Sequence, residues 1–244
     1  MHLIRHAEIA SHRGDIEITQ QGHKTAEELG RRLAAEITRE ERIAYGFAPT
    51  RRTRQTVDAI AAGLEGELRR RGKPFAVLGE PWEVFGLRNP DVYLAGIRVE
   101  MVSSAQAFAA QADVTRIGVE AVEEIPFFAE FLRAPDRMGY WVTHPAPPGE
   151  DADAVAERLL AFASSLSVLA SDGELRLVGV THSGPMRAFL RRYLLGYDPG
   201  EPEYVERIDL EVHAQGPPIA VFRERRQEIG VAPAASRTER RDEK

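Results

Sequence analysis

The sequence predicts an α/β fold: a three-layer α/β/α sandwich on a mostly parallel sheet, with a largely helical insertion over the carboxyl edge of the strands. Three observations carry this. Short apolar runs at 3–4, 43–47, 75–78 and 175–180 read as strands, and the last is continuous enough for a strand buried on both faces. Stretches of helical period lie between them. Strands alternating with helices imply parallel pairing with helices on both sides of the sheet.

The elements follow in order. After the first strand, a loop over 6–18 leads to Thr19, a helix cap, with Ala26, Leu29, Leu33 and Ile37 keeping one face apolar. Pro49 and Thr50 open a second helix behind strand 43–47, with Val57, Ile60 and Leu64 inward. Residues 86–149 break the rhythm after strand 75–78. They are helical around 105–132 and Pro-rich at the end, and read as an insertion above the sheet. A strong helix spans 151–170, with Val155, Leu159, Phe162, Leu166 and Leu169 at helical spacing. Ser183, Gly184 and Pro185 start the next helix after strand 175–180. Met186, Phe189, Leu190 and Tyr193 form its inner side, and Gly196 stops it. Segments 207–213 and 219–222 read as edge strands. Residues 1–222 thus make one domain, and 223–244, nearly all charged or small, are expected to be a disordered tail.

Composition narrows the function. With 43% apolar and 29% charged residues the chain is ordinary for a globular protein, and a net charge of −6 argues against a general nucleic-acid binder. Any anion site must therefore be made locally. The absence of cysteine excludes disulfides, thiolate metal sites and a cysteine nucleophile. No apolar run has the length of a signal segment or a membrane span, so the cytoplasm is the expected compartment and no membrane partner is expected.

Three clusters carry chemistry. In Leu3-Ile4-Arg5-His6-Ala7-Glu8 an apolar strand ends in Arg-His, at the strand end where open α/β sheets bind ligands. In Ala48-Pro49-Thr50-Arg51-Arg52-Thr53-Arg54-Gln55-Thr56 three arginines crowd a helix N-terminus, which repels cations; an anion between dipole and guanidinium groups removes the conflict. Val178-Gly179-Val180-Thr181-His182-Ser183-Gly184-Pro185 repeats the first design: buried strand, histidine, helix start. His2 and His6 on one strand would lie roughly 13 Å apart, too far to share a metal ion. Arg51 and Arg54 read as solvated helix surface. His23, His144 and His213 read as surface residues. Trp82, Tyr93, Tyr140 and Trp141 are candidates for a substrate mouth, although the core is the commoner place for such side chains.

Together and in this order, these segments resemble the histidine phosphatase superfamily, also called phosphoglycerate mutase-like. Residues 3–8 resemble its Leu-x-Arg-His-Gly-Glu signature, and Ile18-Thr19-Gln20-Gln21-Gly22 its Leu-Thr-x-x-Gly helix entry. Residues 48–56 resemble its Ser-Pro-Leu-x-Arg-Ala-x-Gln-Thr segment. Gly149-Glu150-Asp151 resembles its Gly-Glu-Ser helix start, and residues 180–185 its second-histidine motif. The resemblance implies phosphoryl transfer from a small phosphate ester to His6 and then to water, with no metal or other cofactor. It places Arg5, Arg52 and His182 on the phosphoryl oxygens. Ala7 and Ala48 replace the family's glycine and serine, and His12 stands where many members carry a phosphate-touching asparagine. The proton donor implied by the resemblance is Glu83, one residue closer to Gly86 than the family pattern, with Glu80 and Asp91 as alternatives. Two other functions share this site: a mutase returning the phosphoryl group to a sugar acid, and a non-catalytic binding or regulatory protein on the same fold.

Overall fold

The computed structural model describes residues 1–11, 15–38, 40–168, 174–213 and 216–230. Strand β1 (His2–Arg5) pairs parallel with β7 (Leu175–Thr181), which pairs parallel with β2 (Glu41–Phe47). On the far side of β2 lie β3 (Phe75–Val77) and the two-residue β4 (Trp82–Glu83), both parallel to it. These are two halves of one edge, interrupted between them. The other half of the sheet is antiparallel: β8 (Arg207–Glu211) lies against β1, followed by β9 (Ile219–Phe222) and β10 (Arg225–Glu228).

Successive residues of β1 face opposite sides of the sheet, and two cores follow from that. Ile4 joins one core with Ile43, Tyr45, Val178 and Val180, covered by α1 (Gln20–Glu36) and α2 (Arg51–Arg70). Leu3 joins the other, covered by α7 (Ala152–Ser165), α8 (Ser183–Leu190) and the insertion. Helices α1 and α2 approach backbone to backbone. A Cβ on Gly30 would sit 2.1 Å from the Ile60 carbonyl, and one on Gly63 would sit 2.0 Å from that of Glu27. No side chain fits at either position.

Several expectations need correction. The segments read as edge strands are not at the edge: β8 is inside the sheet, and the edge is β10. The chain expected to be disordered from Arg223 therefore stays ordered through Glu228, while 231–244 lie outside the described residues. The helix read over 151–170 forms as α7, ending at Ser165, and Leu169 lies outside the described residues. The insertion holds helices α3 (Ala105–Gln111), α4 (Val119–Glu124), α5 (Pro126–Arg133) and α6 (Arg137–Thr143). It also holds an unforeseen hairpin, β5 (Val92–Leu94) with β6 (Ile97–Val99), turned at Ala95 and Gly96 with φ of 49° and 81°. Phe108, Phe128 and Trp141 pack the insertion onto the second core. Among the described residues no helix is long and apolar enough to cross a membrane.

Candidate active site

His6 lies one residue beyond β1 and His182 one beyond β7. The parallel pairing of these strands brings the two together: their rings meet edge to face with centroids 5.4 Å apart, and both are 4% exposed. The His6 amide donates to the Thr181 carbonyl (2.9 Å), so the ladder runs one residue past the strand before the chain turns. The His6 Nδ1 lies 2.8 Å from the Ala7 carbonyl oxygen. A carbonyl only accepts, so a hydrogen is on Nδ1; whenever the ring is neutral, its lone pair is on Nε2.

The segment after His6 is held by the motif residues around it. The Ala7 amide donates to Thr56 Oγ1 (2.9 Å), whose hydroxyl donates to the Arg52 carbonyl (2.7 Å). Thr19 caps α1 by accepting from the Gly22 amide (2.9 Å), and its hydroxyl donates to Glu8 (2.6 Å). Gly22 is required there, because a Cβ would sit 2.6 Å from the Glu8 carbonyl. Each side of the loop is thus tied to a helix.

Of the three arginines at the start of α2, Arg52 turns inward, and its Nη2 lies 3.3 Å from His182 Nδ1. Arg51 and Arg54 are exposed, as the sequence suggested; Arg51 pairs with Glu17, and Arg54 with Asp58. The anion required at this helix start is supplied partly from within. Asp15, which the sequence reading passed over, accepts from the Arg51 amide (2.9 Å) and stands 3.7 Å from Arg52 Nη1. Burial is the main cause of the lowered Arg52 pKa. Arginine starts so high that the group stays charged at neutral pH.

Arg5 is 7% exposed. It donates to the Pro202 carbonyl and pairs with Glu201 (2.8 Å). Tyr204 lies across its guanidinium group at 4.4 Å, with the same ring 5.9 Å from that of His6. Arg5 Nε, Arg52 Nε and Ser183 Oγ are buried with no hydrogen-bond partner. Three orphaned polar atoms on residues around one pair of histidines mark a place built for a polar ligand. Burial pushes the His182 pKa well below 6.5, and the nearby charge of Arg52, then His6 and Arg5, pushes it further. The ring is therefore neutral at pH 7, accepting from Arg52 on Nδ1 and carrying its hydrogen on Nε2.

The remaining candidates separate. Glu83 is exposed and pairs in register with Phe47, which pairs with Val180, which pairs with Ile4. It stands on the same sheet edge as the histidines, three strand spacings or roughly 14 Å of backbone from β1. Glu80 is exposed in the turn before β4. Asp91 is tied to Arg88 and Arg98, which hold its carboxyl at about 2, so it is a poor proton donor at neutral pH. Glu150 accepts from Arg158 (2.9 Å) and from the Asp91 amide (2.8 Å), anchoring the base of the insertion. Trp141 is wholly buried and donates to the Glu150 carbonyl (3.0 Å), so it belongs to the core and not to a mouth; Tyr93 is 46% exposed. His12 lies outside the described residues. Among those described, no three His, Asp or Glu side chains converge in a way that would hold a metal ion.

Solved structures of similar fold include a phosphoglycerate mutase from Bacillus anthracis, 14% identical, with 94% of this chain and 91% of that one covered at a TM-score of 0.50. Two others are a mycobacterial glucosyl-3-phosphoglycerate phosphatase (17% identical, 86% and 90% covered, TM-score 0.48) and the protein histidine phosphatase SixA (11% identical, 93% and 97% covered, TM-score 0.47). No curated protein matches the chain in sequence. The family pattern described as "Histidine phosphatase superfamily (branch 1)" matches residues 1–72 and 112–213, which hold Arg5, His6, Arg52 and His182. The stretch between, 73–111, holds Glu83 and the β5–β6 hairpin and lies outside the match. With most of its length and both histidine segments matched, the chain belongs to the histidine phosphatase superfamily.

Proposed function

We propose that the protein is a metal-independent phosphatase that hydrolyses a phosphate monoester through a phosphohistidine on His6. The observation that carries this reading is the tautomer of His6. With a hydrogen on Nδ1, held by the Ala7 carbonyl, the neutral ring offers Nε2 as the nucleophile, with buried His182 edge to face against it.

In the first step, Nε2 attacks phosphorus in line as the bond to the leaving oxygen breaks. Arg5, Arg52 and the Nε2–H of neutral His182 hold the remaining phosphoryl oxygens, where charge builds. The arginines supply the positive charge that a metal ion provides elsewhere. A carboxylic acid at the sheet edge, Glu83 in this reading, gives its proton to the leaving oxygen. In the second step Glu83 takes a proton from water, the water oxygen bonds to phosphorus, and the P–N bond breaks to release phosphate and neutral His6. The substrate belongs to the small phosphate esters, and the match of this protein to a cytoplasmic setting is part of the same proposal.

A panel of phosphate esters, assayed for phosphate release with and without EDTA and with vanadate, tests the proposal. Turnover that survives EDTA, is blocked by vanadate, and passes through an acid-labile phosphohistidine lost in His6→Ala is the expected result. Turnover that needs an added divalent ion would overturn it. Transfer to 3-phosphoglycerate with little release to water would turn the reading to a mutase.

A further inference from the structure

The segment 198–204, which no motif singled out, surrounds Arg5. Glu201 bridges two arginines, one through each carboxylate oxygen: Oε2 is 2.8 Å from Arg5 Nη2, and Oε1 is 3.4 Å from Arg187 Nη1. Arg187 is fully buried and is itself fixed by Asp198 and by Asp136, whose oxygens lie 2.8 and 2.6 Å from its two terminal nitrogens. Asp136 is the N-cap of α6, so the chain of contacts runs from the insertion through Arg187 and Glu201 to Arg5. Pro202 accepts from Arg5 through its carbonyl, and the guanidinium carbon lies over the Tyr204 ring, 4.4 Å from its centre.

An arginine side chain has many rotamers, and binding a phosphoryl group at one spot requires freezing them. Here Arg5 is held by Glu201, Pro202 and Tyr204, a segment outside the motifs quoted above, while its Nε keeps an unused hydrogen. We propose that Glu201 and Tyr204 are positioning residues that clamp Arg5 in its phosphate-binding orientation. Arg187 and Asp136 set the carboxylate of Glu201. Glu201 acts through Arg5 and not on the substrate. The Tyr204 contribution comes from its ring and not from its hydroxyl, because the face of an aromatic ring attracts the cation. This inference rests on the phosphatase reading for its consequence, but the clamp itself is measurable without turnover.

The test compares wild type with Glu201→Ala, Glu201→Gln, Tyr204→Leu and Tyr204→Phe. Three measurements are made on each: the mobility of the Arg5 Nε–H group by NMR relaxation, the affinity for vanadate, and kcat and KM. In Glu201→Ala and Tyr204→Leu, Arg5 should become mobile, vanadate should bind roughly tenfold more weakly, and kcat/KM should fall by a similar factor, since small misplacements of a binding group have large effects. Glu201→Gln should recover part of the loss, and Tyr204→Phe should behave as wild type within about threefold. Folded Glu201→Ala and Tyr204→Leu proteins with an ordered Arg5 and wild-type vanadate affinity would overturn the clamp. A wild type that hydrolyses no ester, while Arg5 still loosens in the two variants, would overturn the phosphatase reading and leave the clamp standing.

Discussion

Arg52 Nη2 stands 3.3 Å from His182 Nδ1, so a permanent cation faces the one ring nitrogen that holds the lone pair of a buried histidine. Burial first, and the Arg52 charge after it, keep His182 neutral, and the contact aims its remaining hydrogen, on Nε2, away from Arg52. A second buried histidine is also held neutral. His2 donates from Nδ1 to Asp209 (2.6 Å) and accepts from Arg176 on Nε2 (2.6 Å), with burial the main cause of its lowered pKa.

Both groups link stability to pH with the same sign. A histidine with a depressed folded pKa binds fewer protons folded than unfolded. Its contribution is fully present above the unfolded value of 6.5 and is lost as pH falls below it. Thermal and urea melts should therefore show stability falling below pH 6.5, at up to about 1.4 kcal/mol per pH unit for each group. His182→Asn and His2→Gln should each flatten that slope. An unchanged slope in both variants would mean that the rings protonate freely in the folded protein.

The paired histidines make unequal demands on the fold. In the proposed mechanism His6 supplies bond formation, while its neighbour Ala7 and its own amide hold the turn. His6→Ala should lower turnover roughly a thousandfold or more while the melting temperature moves little. Substantial turnover by the folded variant would remove His6 from the role of nucleophile.

Three arginines in four positions offer an internal control. Arg52 is inward and carries an orphaned Nε, whereas Arg51 and Arg54 are exposed and ion-paired to Glu17 and Asp58. Exposed pairs contribute little, so Arg54→Ala should leave vanadate affinity within about twofold and stability within about 1 kcal/mol. Arg52→Ala should weaken vanadate binding at least about tenfold, and Arg52→Lys should not restore it, because an ammonium lacks the planar fork. Equal losses in Arg52→Ala and Arg54→Ala would point to general surface charge in place of a defined contact.

The acid can be found by separating ionisation from structure. Asp91 holds Arg88 and Arg98 together at the base of the hairpin, so Asp91→Asn should destabilise the protein without moving the alkaline limb of the kcat profile. Glu83→Gln should do the reverse: an exposed position costs little stability, but the loss of a proton donor should remove that limb and lower kcat by about a hundredfold or more for esters with poor leaving groups. Nitrophenyl phosphate, whose leaving group needs no proton, should be much less affected. A Glu83→Gln enzyme with unchanged kcat on alkyl phosphates would pass the role to another carboxylate.

Much of this site was legible in the sequence because it is written in short segments. Strand ends, helix caps and the Arg-His pair are local signals, and parallel pairing of β1 with β7 brings the two histidines together once each sits at a strand end. Arg52 was set apart from Arg51 and Arg54 by the resemblance of residues 48–56 to the family segment, and the structure turns Arg52 inward and leaves the other two exposed. Glu201 and Tyr204 could not be found that way. Arg5 and Pro202 are 197 residues apart, and no spacing rule links them. Strand β10 was missed because all four of its residues, Arg225 to Glu228, are exposed; it is held by backbone pairing and by Arg226 on Glu211 (2.6 Å), leaving no apolar alternation to read. The hairpin was missed because its turn places Ala95 at positive φ, a site where the usual signal is glycine or asparagine.

That hairpin is where substrate choice should reside. Its last strand leads into Glu100, whose negative charge raises the Arg52 pKa slightly against the larger effect of burial. It also presents Tyr93 to solvent, cross-paired with Arg98, in a stretch that the family pattern does not match. Trp141, by contrast, is wholly buried. Tyr93→Ala should therefore change the order of kcat/KM across sugar, nucleotide and aryl phosphates while stability stays within about 0.5 kcal/mol, as expected for an exposed side chain. Trp141→Ala should cost about 3–5 kcal/mol, the range for losing a large buried aromatic, and leave the order of preference unchanged in whatever protein remains folded. Glu100→Gln removes a negative charge near the anion site and should tighten phosphate and vanadate binding a few-fold, more at low salt than at high, since partly exposed charges are screened. Steady-state kinetics on the ester panel, paired with melts of the same preparations, separates these outcomes. An unchanged preference order in a folded Tyr93→Ala enzyme, with vanadate affinity unmoved in Glu100→Gln, would place specificity outside the hairpin.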